Sequence, residues 1–226
     1  MTEEPQGTTN SDGLTGAPFD VLRRRLRLLR LLEGADRAGI APIRVNRLHT
    51  YAYLTNVLAP VWDARVFDSQ LLKRLGGPFY PALQQDLDRL VGLGLVRITG
   101  LGHVQDEGGQ WRLDGFFALD YERAGEALRF LGTIPEEREM QSFLVEVAYA
   151  VSALSDREFD RVHHEDATYS DRNVDYDNVV DFAEWKDLNY SANAAYHFAE
   201  ISEGAMPSEL LHLYVRHLHR RISGQR

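Results

Sequence analysis

The chain contains no cysteine, which excludes disulfides and thiolate metal sites and leaves nothing in its composition that points to export. Long apolar runs are missing as well. Met1 to Asp20 is rich in Thr, Gly, Glu and Pro, which argues against both a signal peptide and a membrane span. Neither Gly-x-Ser-x-Gly nor a glycine-rich loop followed by Lys occurs, so the common nucleophile and phosphate-cradling signatures are lacking. Gly100-Leu101-Gly102 has a strand signal ahead of it and no helix behind, and no internal repeat is detectable. These absences predict a cytoplasmic protein that is not an enzyme, binds no cofactor and crosses no membrane. Residues 1–17 are expected to be a disordered leader.

What the chain does have is enough apolar material for a real core, 44 % of 226 residues, in one large domain or two small ones. Its net charge of −9 is unevenly placed. Residues 1–60 hold eight Arg against six acidic residues, a balance of +2, so residues 61–226 carry −11. Residues 155–189 alone set eleven Asp or Glu against four Lys or Arg. Such a surface repels nucleic acid at long range and suits a basic protein partner, or it simply keeps a loop solvated.

The most telling segment runs from Gly76 to Ile98. Pro81 stands at a helix start, Leu83, Leu87, Leu90 and Leu93 recur at three- and four-residue steps, Gly94 marks a stop, and Val96 and Ile98 follow at period two. A helix that hands over to a strand in this way predicts the third helix and wing of a winged helix-turn-helix. Its polar face, however, shows Gln84, Gln85, Asp86, Asp88 and a single Arg89. A helix that reads a DNA groove usually offers cations to the phosphates, which supply most of the affinity. The pattern therefore favours a winged helix that grips protein.

Around this segment the periodicity predicts helices over 19–33, 45–59, 120–131, 135–154, 191–201 and 207–221. Ile40 and Ile43 are placed to form a short strand, and a helical turn or two is expected at Gln70–Leu75. Strands are expected at 95–99, 103–105 and 110–119, joined by a turn at Asp106–Gly109. Ser155-Asp156-Arg157-Glu158 has the form of a capping box. Residues 165–190 show neither period. The fold class is thus mainly α with a small β wing: a winged-helix domain over 18–132, then a helical region over 133–226 with an acidic loop at 165–190.

Three clusters carry possible chemistry. His163, His164, Glu165 and Asp166 contain metal-ligating types, but neighbours in sequence cannot all turn toward one ion, and His212, His217 and His219 are spaced no better. Asp171, Asn173, Asp175 and Asp177 alternate like a calcium loop, yet the sixth and twelfth positions are Tyr176 and Phe182 where Gly and Glu are needed. The aromatics in this loop, Tyr169, Tyr176, Phe182 and Trp185 beside Asp177, either pack the loop down or anchor a partner. Arg23, Arg24, Arg27 and Arg30 form a basic helix face able to meet phosphates or an acidic surface, or to remain solvated. Arg216, Arg220 and Arg221 make a second such patch.

The leading Leu/Arg helix, the segment Arg47 to Leu54, the run Phe79 to Leu90 with Gly94-Leu95-Val96, and the stretches Asp166–Tyr169 and Asn189–Ser191 together resemble the small middle component of ABC-three-component antiphage systems, which are related to Lamassu. Proteins of that kind are similar to winged-helix subunits that sit on SMC- and Rad50-like ATPases. The resemblance implies a non-catalytic adaptor whose partners are a coiled-coil ATPase and an effector subunit, with DNA met through the assembly. No catalytic residue carries over. A homodimer through the helices at 136–154 and 207–221 is open, as is the rival reading, a winged-helix transcription regulator. A metal-dependent hydrolase built on His163 and the loop carboxylates is a third class.

Overall fold

In the computed structural model, which describes residues 17–65, 70–105, 109, 111–172, 175–181, 189–201 and 204–224, helices dominate and two small antiparallel sheets flank them. The elements follow the order α1 (Ala17–Arg37), β1 (Ile43–Arg44), α2 (Val45–Leu58), β2 (Gln70–Arg74), β3 (Gly77–Phe79), α3 (Pro81–Gly92), β4 (Val96–Gln105) and β5 (Trp111–Leu119). Then come α4 (Tyr121–Leu131), α5 (Pro135–Ser152), α6 (Asp156–Phe159), α7 (Val162–Glu165), β6 (Val179–Asp181), α8 (Tyr190–Ile201) and α9 (Pro207–Ile222). One sheet has the order β1-β5-β4 and the other β3-β2-β6. No described helix is long and apolar enough to cross a membrane.

Glycines set two of the helix ends. Gly94, at φ 73°, closes α3: its N–H bonds the Val91 carbonyl while that of Leu95 reaches back to Leu90. Gly39 does the same for α1, with Ile40 bonded to Ala35 and Gly39 to Asp36. That helix therefore runs past the expected end at Glu33, and Gly34 lies inside it. The reason is packing, since a Cβ at Gly34 would sit 2.7 Å from the Tyr51 hydroxyl.

Three further expectations are corrected. Gln70–Arg74 is a strand, not a helical turn. Leu71 and Lys73 bury alternate positions, and the buried lysine hid the period of two. The supposedly aperiodic acidic loop supplies β6, which pairs with β2 through Leu71 opposite Val180. The strands expected at 95–99 and 103–105 are one strand with a bulge between Thr99 and Gly102. The leader up to residue 16 lies outside the described residues.

The core is continuous across the expected boundary at residue 132. Every residue of α2 from Leu48 to Leu58 is buried, so beyond its first turn this helix lies inside the molecule with no solvent face. Helix α5 packs against α1 and α2, and α9 packs against α5. Tyr51 donates its hydroxyl proton to the Leu144 carbonyl at 2.5 Å. Leucines 28, 29, 31 and 32 of α1 and Phe143, Leu144, Val147 and Val151 of α5 belong to one apolar cluster.

Candidate protein-docking surface

The basic helix is the first place where the structure departs from the sequence pattern. Arg24 Nε and Arg25 Nε both donate to Asp86, one to each carboxylate oxygen, at 2.5 and 2.7 Å. The Asp86 side chain is 3 % exposed, so a residue expected on the outer face of α3 instead points inward at α1. Arg30 is buried and donates to Glu33 at 2.7 Å, where Arg37 also binds. Arg27 is buried as well, and burial lowers its pKa, with Glu137 opposing that effect and Arg23 and Arg65 adding to it. Among Arg23, Arg24, Arg27 and Arg30, only Arg23 is exposed. Arginine stems cover apolar surface well, which is why α1 could place its cations against the core and recruit α3 and α1 carboxylates to hold them.

The acidic segment is likewise partly internal. The fully buried carboxylate of Asp166 accepts from the hydroxyls of Tyr53 at 2.5 Å, Tyr214 at 2.8 Å and Ser191 at 2.8 Å, and from the backbone N–H groups of Thr168 and Tyr169 at 3.0 Å. One side chain thus ties α2, α8 and α9 to the start of the loop. Both tyrosine pKa values are raised, burial being the main cause and Asp166 the next. Tyr169, expected as a partner anchor, is corrected to a core residue. It is 2 % exposed, meets Tyr53 edge-on, and its hydroxyl donates to the Arg74 carbonyl.

Tyr176 and Asp177 remain on the surface. Tyr176 is 43 % exposed with its ring 5.2 Å from Lys73 Nζ, and the Asp177 N–H donates to the Lys73 carbonyl. Lys73 itself is buried, which lowers its pKa, and Nζ donates to the Asp171 carbonyl at 2.7 Å. Phe182 and Trp185 lie outside the described residues.

His163 is no surface ligand. It is 2 % exposed, neither ring nitrogen has a hydrogen-bond partner, and burial pushes its pKa down to about 3, with His164 adding to the shift. Among the described residues no three His, Asp or Glu side chains are grouped as a metal site. On α9, His212 faces Glu146 and Arg221 faces Glu165, while Arg216 and Arg220 of that patch lie on the surface.

An exposed apolar face lies elsewhere, on the hairpin β4–β5. Opposed pairs Val96–Leu119 and Ile98–Phe117 turn toward the core. Farther out, the same face carries Gln105–Trp111 and His103–Leu113, where Trp111 is 70 % and Leu113 52 % exposed. Leu101 joins them beside Gly115 and is also exposed. The sequence pattern predicts these strands, while the apolar stripe is seen only in the structure. Its signal was present, since Trp111 and Leu113 alternate next to the hairpin turn, where a solvated wing would carry polar residues.

At the foot of the stripe is a cleft of about 300 Å³, bounded by the start of α2, the β2–β3 hairpin, α3 and β5. Pro78, Phe79 and Leu113 give it apolar walls, and the Arg74 guanidinium lies 3.7 Å from the centre of the Phe79 ring. A fixed polar chain runs along one side. The Tyr80 N–H donates to His49 Nδ1, which leaves Nε2–H to donate to Gln84 Oε1 at 3.1 Å, and Gln84 Nε2 donates to Asp88 at 2.9 Å. Burial holds His49 neutral by lowering its pKa to about 4, the Gln84 bond opposing and Arg74 adding to the shift. No protein-family model, curated protein or solved structure matches the chain.

Proposed function

We propose that this chain is a non-catalytic winged-helix subunit that docks on protein and not on DNA, and that its partner is the SMC/Rad50-like coiled-coil ATPase of a cytoplasmic antiviral defence complex. The order α1-β1-α2, then α3-β4-β5 after the inserted β2–β3 hairpin, with β1 beside β5 and β5 beside β4, supports the winged-helix part. The identity of the ATPase comes from the sequence resemblance alone.

One observation carries docking on protein: Asp86 of α3 clamped between Arg24 and Arg25. The helix that would lie in a groove spends its carboxylate on the very cations a phosphate backbone would need. What α3 still presents is Gln85, Asp88 and Arg89, with no net charge. The exposed apolar stripe of the wing is the kind of surface from which aromatic and branched anchors supply binding energy, while the acidic body steers a basic partner.

Co-expression with an SMC/Rad50-like coiled-coil ATPase tests this. The pair is expected to co-purify through gel filtration, and the isolated chain is expected to bind duplex DNA weakly at physiological salt and without sequence preference. Tight, sequence-specific binding of a duplex by the isolated chain would establish the regulator instead.

A further inference from the structure

Many charged side chains of this protein are matched with a partner of opposite sign. Arg24 and Arg25 hold Asp86, Arg44 holds Asp114, Arg47 holds Asp156 and Asp160, and Arg221 holds Glu165. One place breaks the pattern. A second cavity, of about 390 Å³, lies between the first half of α1, the residues that follow α2 and the start of α5. Three guanidinium groups line it, those of Arg23, Arg27 and Arg65. So do four carboxylates, those of Asp63, Glu136, Glu137 and Glu139.

Arg27 is buried and already engaged. Arg23 and Arg65 are exposed at the mouth, and their side chains make no ion pair or hydrogen bond among the described residues. The same holds for Asp63, Glu136 and Glu139, and one carboxylate oxygen of Glu137 is buried with no donor. The charges nonetheless converge, since Arg23, Arg65 and Glu137 are all close enough to Arg27 to move its pKa. Glu136 and Glu137 suit the positive end of α5, whose first turn they occupy, but that role calls for no guanidinium groups opposite them. Cations and carboxylates that share a cavity without pairing leave two under-neutralised poles. A bare anion would meet the four carboxylates and a bare cation the three guanidinium groups, whereas a dipolar molecule satisfies both poles. The remaining walls are apolar: Met140 is buried, and Ile134 and Trp62 are half-buried, the Trp62 ring 5.9 Å from that of Phe143.

We propose that this cavity binds a free amino acid with an apolar side chain, its carboxylate held by Arg23 and Arg65, its ammonium by Glu136 and Glu137, and its side chain against Trp62 and Met140. The volume lies within the range of small-molecule sites. A ligand placed so joins α1 to α5 and stabilises the folded chain by mass action. The proposal is independent of docking on the ATPase and is read on the isolated chain.

The test uses the full chain and isothermal titration with four compounds. They are L-phenylalanine, N-acetyl-L-phenylalanine without the ammonium, L-phenylalaninamide without the carboxylate, and L-serine without the apolar side chain. L-Phenylalanine is expected to bind saturably, one per chain, and to raise the melting midpoint as its concentration rises. The other three are expected to bind at least about tenfold more weakly. Arg65→Gln and Glu136→Gln are each expected to weaken L-phenylalanine by about tenfold, while circular dichroism and the melting curve without ligand stay those of the parent. Hydrogen exchange at backbone amides 62–65 and 136–138 is expected to slow with L-phenylalanine bound, which locates the site in the parent chain itself.

No saturable binding of L-phenylalanine would overturn the proposal, as would binding of any of the other three compounds as tight as that of L-phenylalanine. Parent-like affinity in both folded variants, or unchanged exchange at those amides, would do the same, because the ligand would then sit elsewhere. Should a variant fail to fold, the compound series and the exchange measurement on the parent chain decide the matter. Capture of the ATPase, or its failure, judges only the docking function.

Discussion

Replacing Asp86 with Asn removes the charge that holds Arg24 and Arg25 while keeping the shape of the side chain. Breaking a buried ion pair from one side costs about 3–5 kcal/mol when the stranded charge stays buried. Here the side chains of Arg24 and Arg25 retain 22 % and 34 % exposure. They can turn to water, which reduces the expected loss to about 2 kcal/mol. For a chain of this size that corresponds to a melting midpoint lowered by about 4–8 °C, readable by differential scanning fluorimetry. The two released guanidinium groups should also give the surface new phosphate contacts. A random duplex titrated at several salt concentrations is expected to bind D86N more tightly than the parent, with a log–log salt slope steeper by up to about 1.8. An unchanged melting midpoint together with an unchanged salt slope would refute the clamp. A parent chain that already showed a slope worth several phosphates would do the same.

Asp166→Ala leaves the hydroxyls of Tyr53, Tyr214 and Ser191 without their shared acceptor, and urea unfolding is expected to show a loss of about 3–5 kcal/mol. His49 and His163 have folded pKa values of about 4 and about 3, below the ordinary 6.5, so the unfolded chain binds more protons in acid. Their contribution to stability is complete above pH 6.5 and is lost as pH falls toward those values. Each is expected to cost about 2–3 kcal/mol between pH 7 and pH 4.5, measured as urea midpoints across that range. His163→Leu is expected to flatten that acid limb without loss of stability at pH 7, because neither ring nitrogen has a partner to lose. Tyr176→Ala is expected to change stability by less than about 1 kcal/mol but to reduce capture of the ATPase in a pull-down.

Much of the helical frame is legible in the sequence because its signals are local. Gly94 after a run of spaced leucines, Pro81 and Pro135 at helix starts, and the Ser155–Glu158 box each act within a few residues. What escapes is non-local. Lys73 looks like a solvent-facing residue until Tyr169, Tyr176 and the Asp171 carbonyl are brought over it from about a hundred positions away, and only then does 70–74 read as a strand. Asp86 gives the same lesson at the candidate site. Its acidic character is plain from the sequence, but the face of α3 it occupies is decided by Arg24 and Arg25, some sixty residues earlier. Tyr169 looks like any other aromatic in an acidic loop, and burial alone tells it from Tyr176.

Beyond its first turn helix α2 has no face of its own to show to water, and groups that cover it arrive late in synthesis. Tyr51 finds Leu144, Tyr53 finds Asp166 and Val57 finds Asn189 at separations of 93, 113 and 132 residues. At ordinary elongation rates that is a delay of about 5–25 s during which a helix of leucines and tyrosines is out of the ribosome without its cover. Nascent copies are therefore expected to need holding chaperones, and production in a host depleted of them is expected to send the protein into inclusion bodies.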